Sequence, residues 1–274
     1  MATQNGNVEL PPYEPERLPL EWNLQTITFA VSMIVQAVAL GISIYALVDS
    51  RQSKPALLEV ILILELVVQG VELAWYSVVG MLFYFGRMNI GVSYRYLDWA
   101  VTTPTMLISI LLFIWYLQCN ILTLENVLSD DWKVLALLTA VILNWVMLGI
   151  GYVYEAKLES ITQNFDLLLG PKGGLYLAFV PFVGSYLPIF VSVAAKSDAI
   201  AWIVAILTFF IWALYGVVAI LYSTPDGDAM KNTFYNVLDI ISKNLAGITV
   251  GIVALMYTAA DADLSMPLCN ATAL

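Results

Sequence analysis

The sequence predicts an all-α integral membrane protein, a single bundle of seven transmembrane helices. Of its 274 residues, 61% are hydrophobic and 12% are charged, whereas soluble domains carry about 25% charged residues. Apolar stretches long enough to cross a bilayer, which takes about 20 residues, fill nearly the whole chain. We expect spans 1 to 7 at 24–49, 55–84, 91–117, 132–154, 173–194, 199–222 and 231–258.

The stretches outside the spans predict short segments rather than further domains. Residues 1–23 would form an N-terminal segment, 24–258 the bundle and 259–274 a short tail. The first residues lack a basic region followed by a short apolar stretch, so we expect span 1 to insert without cleavage. Basic residues are distributed almost evenly between the two sets of loops and do not fix the orientation.

Composition excludes several function classes. The formal net charge of −10 argues against nucleic acid as a partner. The chain has no histidine, which excludes histidine metal ligands and histidine general bases, and no metal site or enzymatic activity is predicted. The two cysteines, Cys119 and Cys269, form no disulfide framework.

Ionisable residues inside the spans are the strongest functional signal, because such groups are costly in hydrocarbon and usually face the interior of a bundle. Span 3 has a polar row at helical spacing, and span 7 has an acid and a lysine four residues apart, so each set shares one helix face. The residues concerned are Glu59, Glu65 and Glu72 in span 2, Arg95, Asp98, Thr102 and Ser109 in span 3, and Asp239 and Lys243 in span 7.

Two interpretations of Lys243 stay open at this level. The lysine and the aspartates could form a structural ion cluster that ties helices together. A desolvated lysine is also the residue type that forms a Schiff base with a carbonyl ligand, whose positive charge needs buried counter-ions. Aromatic and small residues in spans 3, 4 and 6 favour a slot for a flat apolar chromophore: Trp99, Met147, Gly149, Gly151, Trp212 and Tyr215.

Four motifs together resemble the microbial (type 1) rhodopsins, seven-helix proteins that bind retinal. RYLDWAVTTP in span 3 is similar to the family's R-Y-x-D-W-x-x-T-T-P segment, and LDIISKN in span 7 resembles its D-x-x-x-K motif. W-x-x-Y in span 6 and M-x-G-x-G in span 4 also match, in the family's order. The resemblance implies an extracellular N-terminus and a cytoplasmic C-terminus.

The resemblance also implies roles for individual residues. Lys243 would carry all-trans retinal as a protonated Schiff base, with Asp98 as primary counter-ion and proton acceptor and Asp239 as second counter-ion. Thr102 would hydrogen-bond the carboxyl group of Asp98, and Arg95 would link the site to the release path. The retinal pocket would include Trp99, Thr103, Met147, Gly151, Trp212, Tyr215 and Ser242, and Asn144 would accept a hydrogen bond from Thr103.

The residues Asp98, Thr102 and Ser109 form the triplet that distinguishes subtypes, here D-T-S. An acid at the first position resembles outward proton pumps, and the D-T-S triplet resembles that of giant-virus rhodopsins of marine protists. Ser109 stands where efficient pumps usually have an acidic proton donor, and a serine is no proton reservoir near neutral pH. Aligning WYSVV of span 2 with the family through Tyr76 places Glu72 near Lys243 and Glu65 near Ser109. We therefore expect Glu65 to supply the proton through Ser109; the alternative is that these glutamates face a subunit interface or hydrogen-bond neighbouring helices.

The leading prediction is thus a light-driven outward proton pump in a lipid bilayer. A light-gated cation channel is the main alternative because the glutamates of span 2 could line a hydrated pore, and a sensory photoreceptor is a third. The oligomeric state stays open, a homo-oligomer included. This chain departs from the family pattern at three positions: it has Gly216 for a proline, Ala219 for a bulky aromatic residue, and Lys231 where some pumps carry a release glutamate. Asp226 or Asp228, in the preceding loop, is the candidate to substitute for that glutamate.

Overall fold

The computed structural model describes most of the chain as helix. The described residues are 24–50, 56–85, 92–118, 123–156, 158–170, 172–196, 199–223 and 227–256. The expectations for the N-terminal segment, the C-terminal tail, the two cysteines and Asp226 fall outside these ranges.

The seven-helix prediction is confirmed, and the predicted boundaries agree with the helix ends to within a few residues. Spans 1 to 4 are Leu24–Ser50, Ala56–Tyr84, Arg95–Leu117 and Asp131–Glu155. Span 5 is Gly173–Leu177 followed by Phe179–Ala194, span 6 is Ala199–Leu221, and span 7 is Asp228–Asp239, Ile240–Asn244 and Leu245–Met256. Span 7 therefore begins three residues earlier than predicted, and Lys231 lies inside its first turns.

The helices are those of a membrane protein. By length and hydropathy, spans 1, 3, 4, 5 and 6 are each able to cross a membrane. Span 2 carries three glutamates, and span 7 is divided by a π-helical segment. Short helices, Leu124–Leu128 and Glu159–Leu169, connect spans 3 to 4 and 4 to 5.

Successive spans pack side by side, and span 7 packs against span 1, which closes the bundle. Span 3 is the most enclosed of the five apolar spans: 61% of the residues in its apolar 18-residue stretch are buried, against 22–44% in the others. Span 6 runs without a proline between its ends. A side chain at Gly216 would meet the Phe179 ring at 2.6 Å, so glycine permits spans 5 and 6 to approach closely here.

A π-helical segment, Ile240–Asn244, surrounds the lysine of span 7. Such a segment widens the helix and disturbs its main-chain hydrogen bonds, which is why π-bulges occur frequently at functional sites. The amide of Gln69 in span 2 donates to the main-chain carbonyl of Lys243 at 3.1 Å. Ser242, Lys243 and Asn244 are all buried, so this local widening orients three consecutive polar side chains toward the bundle interior.

Candidate functional site

Lys243 lies at the centre of a buried cluster of carboxylates. Its Nζ is 2.8 Å from Oδ2 of Asp98, 3.4 Å from Oδ1 of Asp239 and 3.5 Å from Oε1 of Glu72. The side chains of all four residues are at most 2% exposed. The structure thus joins spans 2, 3 and 7 at a single nitrogen atom, as the sequence motifs predicted for Asp98 and Asp239.

Asp239 is held firmly by its neighbours. Its Oδ2 accepts from the Tyr76 hydroxyl at 2.6 Å and from Arg95 at 3.1 Å, and its Oδ1 accepts from the Tyr215 hydroxyl at 2.8 Å. Asp98 is held less tightly: its Oδ2 accepts from Lys243, and its Oδ1 has no hydrogen-bond partner among the described residues. Of the two aspartates, Asp98 is therefore the one with a free oxygen to receive a proton.

Arg95 is fixed on the side of the cluster away from Ser109. It donates to Tyr76 at 2.6 Å and to Asn232 at 3.0 Å, and it also donates to Asn236. The sequence analysis used Tyr76 only for alignment and missed both asparagines. Their spacing to Asp239 in span 7, four and then three residues, puts all three on one helix face and was the available signal.

The charges of the cluster balance only if Glu72 is left out. Lys243 and Arg95 supply two positive charges, and Asp98 and Asp239 supply two negative charges. Glu72 is fully buried, and neither of its carboxylate oxygens has a hydrogen-bond partner within the described part of the chain. A third negative charge without a hydrogen-bond donor is expensive at such a buried site, so the arrangement favours a Glu72 that is neutral.

A cavity that is partly open to the outside adjoins Lys243, and its volume is about 780 Å³ when this open part is included. Its lining is largely apolar and aromatic, and it includes all seven residues that the sequence analysis assigned to the pocket, together with Lys243. Residues that were missed belong mainly to spans 3, 5 and 6: Tyr96, Met106, Leu175, Ala178, Phe179, Phe182 and Gly216. The signal in span 5 was an aromatic pair three residues apart, which ordinary packing also produces.

The residues around the cavity fit a long, flat, apolar aldehyde. Lys243 is the only lysine among the lining residues, and its Nζ is the atom that such an aldehyde would join. Rings of Trp99, Tyr215 and Tyr235 meet edge to face or stack, with centroids 5.1–5.6 Å apart. A side chain at Gly151 would meet the Tyr96 hydroxyl at 2.7 Å, so glycine is needed for close packing at this wall.

Ser109 and Glu65 are in direct contact. The Ser109 hydroxyl donates to Oε1 of Glu65 at 2.5 Å, and both residues are buried. The predicted proximity of these residues is therefore present in the structure. Thr102 lies beside the Asp98 carboxyl group, which it helps to stabilise, but the hydrogen bond of its hydroxyl goes to the main-chain carbonyl of Asp98, at 3.1 Å. The reason is local, because a threonine hydroxyl readily reaches the carbonyl one turn back in a helix.

The contact between Thr103 and Asn144 runs in the opposite direction to the one expected. The Thr103 hydroxyl donates to the main-chain carbonyl of Trp99 at 2.7 Å, so its only proton is already committed. The Asn144 amide therefore donates to Oγ1 of Thr103, at 2.7 Å. This contact couples spans 3 and 4 beside the cavity.

A buried lysine of the seventh helix, surrounded by carboxylates at the end of an aromatic cavity, defines a class of membrane protein that can hold an apolar aldehyde as a Schiff base. Residues 23–258 match the family of bacteriorhodopsin-like proteins. The chain belongs to this microbial rhodopsin family, whose members bind retinal through a Schiff base to a lysine and act mostly as ion pumps, channels or sensors.

Solved structures share this fold. The chain is similar to the viral rhodopsin OLPVRII, with 25% identity, a TM-score of 0.67 and coverage of 86% of this chain and 100% of that one. A blue light-absorbing proteorhodopsin from Med12 has 20% identity, a TM-score of 0.58 and coverage of 85% and 98%. Halorhodopsin, a light-driven chloride pump, has 18% identity, a TM-score of 0.61 and coverage of 85% and 96%. No match was found among curated proteins.

Proposed function

We propose that this rhodopsin is a light-driven outward proton pump. The observation that carries the proposal is the buried contact of 2.8 Å between Nζ of Lys243 and Oδ2 of Asp98 at the end of the cavity. A carboxylate at this position can accept a proton from the lysine nitrogen, which a chloride ion or a neutral side chain could not do in the same way.

Retinal bound to Lys243 would supply light absorption and the change of shape that alters the surroundings of the lysine nitrogen. Trp99, Trp212 and Tyr215 would hold its chain, and Thr103, Met147, Gly151 and Ser242 would complete the walls. Ser242 shares a hydrogen bond of 2.7 Å with the Tyr215 hydroxyl, which sets a fixed dipole beside Lys243. All these groups are positioned before light is absorbed.

The first proton movement would be from Nζ of Lys243 to Asp98. This transfer neutralises a positive and a negative charge at the same moment. It therefore removes the cost of keeping two charged groups at a buried site. Asp239 would keep its charge because three donors, Tyr76, Tyr215 and Arg95, stabilise its carboxylate. The difference in hydrogen bonding thus supports Asp98, rather than Asp239, as the acceptor.

The polar groups at the two ends of the site support a direction. Arg95, with Asn232 and Asn236, lies on one side of Lys243, and Ser109 with Glu65 belongs to the other end of spans 2 and 3. We assign the Arg95 side to the outside, in line with the resemblance to the family, so the N-terminus is extracellular and the C-terminus cytoplasmic. Protons would then leave past Arg95 and enter past Ser109.

Glu65 would return a proton to Lys243. Glu65, Gln69 and Glu72 lie at intervals of four and three residues, which is one face of span 2. The row covers about 10 Å along the helix, from the Ser109 hydroxyl at one end to Nζ of Lys243 at the other. A side chain at Gly247 of span 7 would meet the Gln69 amide at 2.7 Å, so glycine keeps room beside this row.

Illumination of unbuffered cells tests the pump directly. We expect the medium to acidify in the light, and a protonophore should abolish the change. Under voltage clamp, the photocurrent should keep its outward sign at zero gradient. A second candidate, the light-gated cation channel, is favoured by the buried glutamates of span 2; a photocurrent that reverses with voltage would establish the channel and refute the pump.

Replacement of Glu65 with glutamine should slow the recovery of the dark state by about 10²-fold at pH 7, because the internal proton donor is lost. The recovery rate should then follow the proton concentration of the medium, and a small permeant weak acid should restore it. Flash spectroscopy between pH 5 and 9 measures both effects.

Glu59→Gln is the matched control for this experiment, since Glu59 belongs to the same helix but is partly exposed. Its recovery should equal that of the unchanged protein. Unchanged recovery of Glu65→Gln at every pH would refute the donor role.

Replacement of Glu72 with glutamine should move the absorption maximum only slightly. The charge balance of the cluster favours a neutral Glu72, and glutamine is a neutral side chain of nearly the same shape. Absorption spectra of the retinal-bound protein test this, and the loss of the carboxylic acid C=O band in the infrared spectrum provides an independent readout. A large shift toward longer wavelength would show instead that Glu72 carries a negative charge beside Lys243.

A further inference from the structure

Lys231, which the sequence placed at the outer edge of span 7, is buried in an ion pair. Its Nζ is 2.7 Å from Oε2 of Glu155, and both side chains are only 4% exposed. Glu155 is the last residue of span 4, and Lys231 lies in the first turn of span 7. The pair therefore links two spans that are not consecutive in the bundle, at the end where Arg95 lies.

A second acid offers Lys231 an exposed partner. Oδ1 of Asp228 is 3.5 Å from the same Nζ, and its side chain is 43% exposed. Lysine has three donor hydrogens on a flexible four-carbon stem. A small rotation would move the ammonium group from the buried Glu155 to Asp228 at the solvent.

Aromatic residues connect this pair to the central cluster. Glu155 interacts electrostatically with Tyr96 and Tyr235. The Tyr235 ring lies 5.9 Å from the guanidinium carbon of Arg95, and Arg95 contacts Asp239. Lys231 precedes Asp239 by eight residues, about 12 Å along the helix. The ion pair thus lies between the central cluster and the outer end of span 7.

We propose that Glu155 and Lys231 form the switch through which the outward-moving proton leaves the protein; this inference rests on the proposed pump. The proton that leaves Asp98 reaches a carboxylate oxygen of Glu155 and neutralises it. Lys231 then lacks a buried counter-charge, an expensive state, and turns to Asp228. Glu155 becomes accessible to water, loses its proton to the outside, and pairs with Lys231 again. One proton has left, and all three side chains have regained their initial charges.

Flash experiments on the retinal-bound protein, with a pH-indicator dye in unbuffered solution, test the switch. In the unchanged protein the dye should report a proton soon after infrared spectroscopy detects that Asp98 has lost the proton it received. In Glu155→Gln the proton should appear only during recovery of the dark state, at least about tenfold later. The absorption maximum and the rate of Asp98 protonation should not change, because Glu155 does not contact Lys243 or Asp98.

Three further variants separate the switch from a structural role. Glu155→Asp should retain early release, since it keeps a carboxylate at this position, and Asp228→Asn should slow release because Lys231 loses its exposed partner. Asp166→Asn, in the neighbouring connecting helix, is the matched control and should release its proton at the normal time. Early release in both Glu155→Gln and Asp228→Asn, or late release in the unchanged protein, would refute the switch. An unchanged protein that drives no net acidification would refute the pump itself.

Discussion

Replacement of Lys243 with alanine should abolish the visible absorption band of protein produced with retinal. Lys243 is the only lysine that lines the cavity, so no other amine within the described residues is available to bind an aldehyde there. The expected loss is complete rather than partial, because the band requires the covalent bond. Absorption spectra of equal amounts of purified protein, normalised by the aromatic band near 280 nm, which reports protein and not retinal, measure the effect.

Three checks distinguish the loss of the retinal bond from a folding defect. The variant leaves Asp98 and Asp239 without their buried cation, which costs several kcal/mol and could unfold the bundle. Circular dichroism should therefore establish that the variant is helical, and Lys133→Ala, near the start of span 4, should remain coloured. Borohydride reduction of the unchanged protein, followed by peptide mass spectrometry, should place the ligand on Lys243. A coloured, helical Lys243→Ala protein would overturn the assignment.

Replacement of Asp98 with asparagine should reduce light-driven acidification by about 10²-fold or more, because the proton acceptor is lost. The absorption maximum should also move to longer wavelength, since the positive charge at the lysine nitrogen loses the anion that lies 2.8 Å away. Both effects are large because Asp98 and Lys243 are buried and their interaction is weakly screened. Pump assays in unbuffered cells and absorption spectra of purified protein measure them.

Two matched variants test whether pumping requires the carboxylate of Asp98. Asp98→Glu keeps a carboxylate and should retain some pumping, whereas Asp131→Asn, at the start of span 4, should behave as the unchanged protein. Full pumping by Asp98→Asn would contradict the proposed acceptor. The same result would also remove the main argument for assigning the D-T-S triplet to a pump.

The fold was predictable to a large extent because each span is a long apolar run, and a helix that satisfies its own main-chain hydrogen bonds is the structure such a run adopts in a bilayer. The predicted spans agree closely with the helices. The π-helical segment at Ile240–Asn244 was not predicted, because it is stabilised by partners such as Gln69, which belongs to a different span.

The candidate site was predictable where residues of one helix share a face. Helical spacing predicts that Asp98 shares a helix face with Thr102, and Asp239 with Lys243. The contact of Glu65 with Ser109 was predicted by aligning span 2 with the family. The direction of the hydrogen bond between Asn144 and Thr103 was wrong because the Thr103 hydroxyl bonds its own helix first. The pocket residues of span 5 were missed because an apolar pattern does not distinguish a cavity wall from a packed interface.

The sequence by itself determined the class of protein: the number of spans, the lysine of span 7, and the acids on the faces of spans 2, 3 and 7. These properties depend on composition and on the helical repeat, which are local. Only the tertiary structure decided which charges meet. Lys231 pairs with Glu155 from a distant part of the chain, because helix packing sets this distance and no periodicity within one helix encodes it.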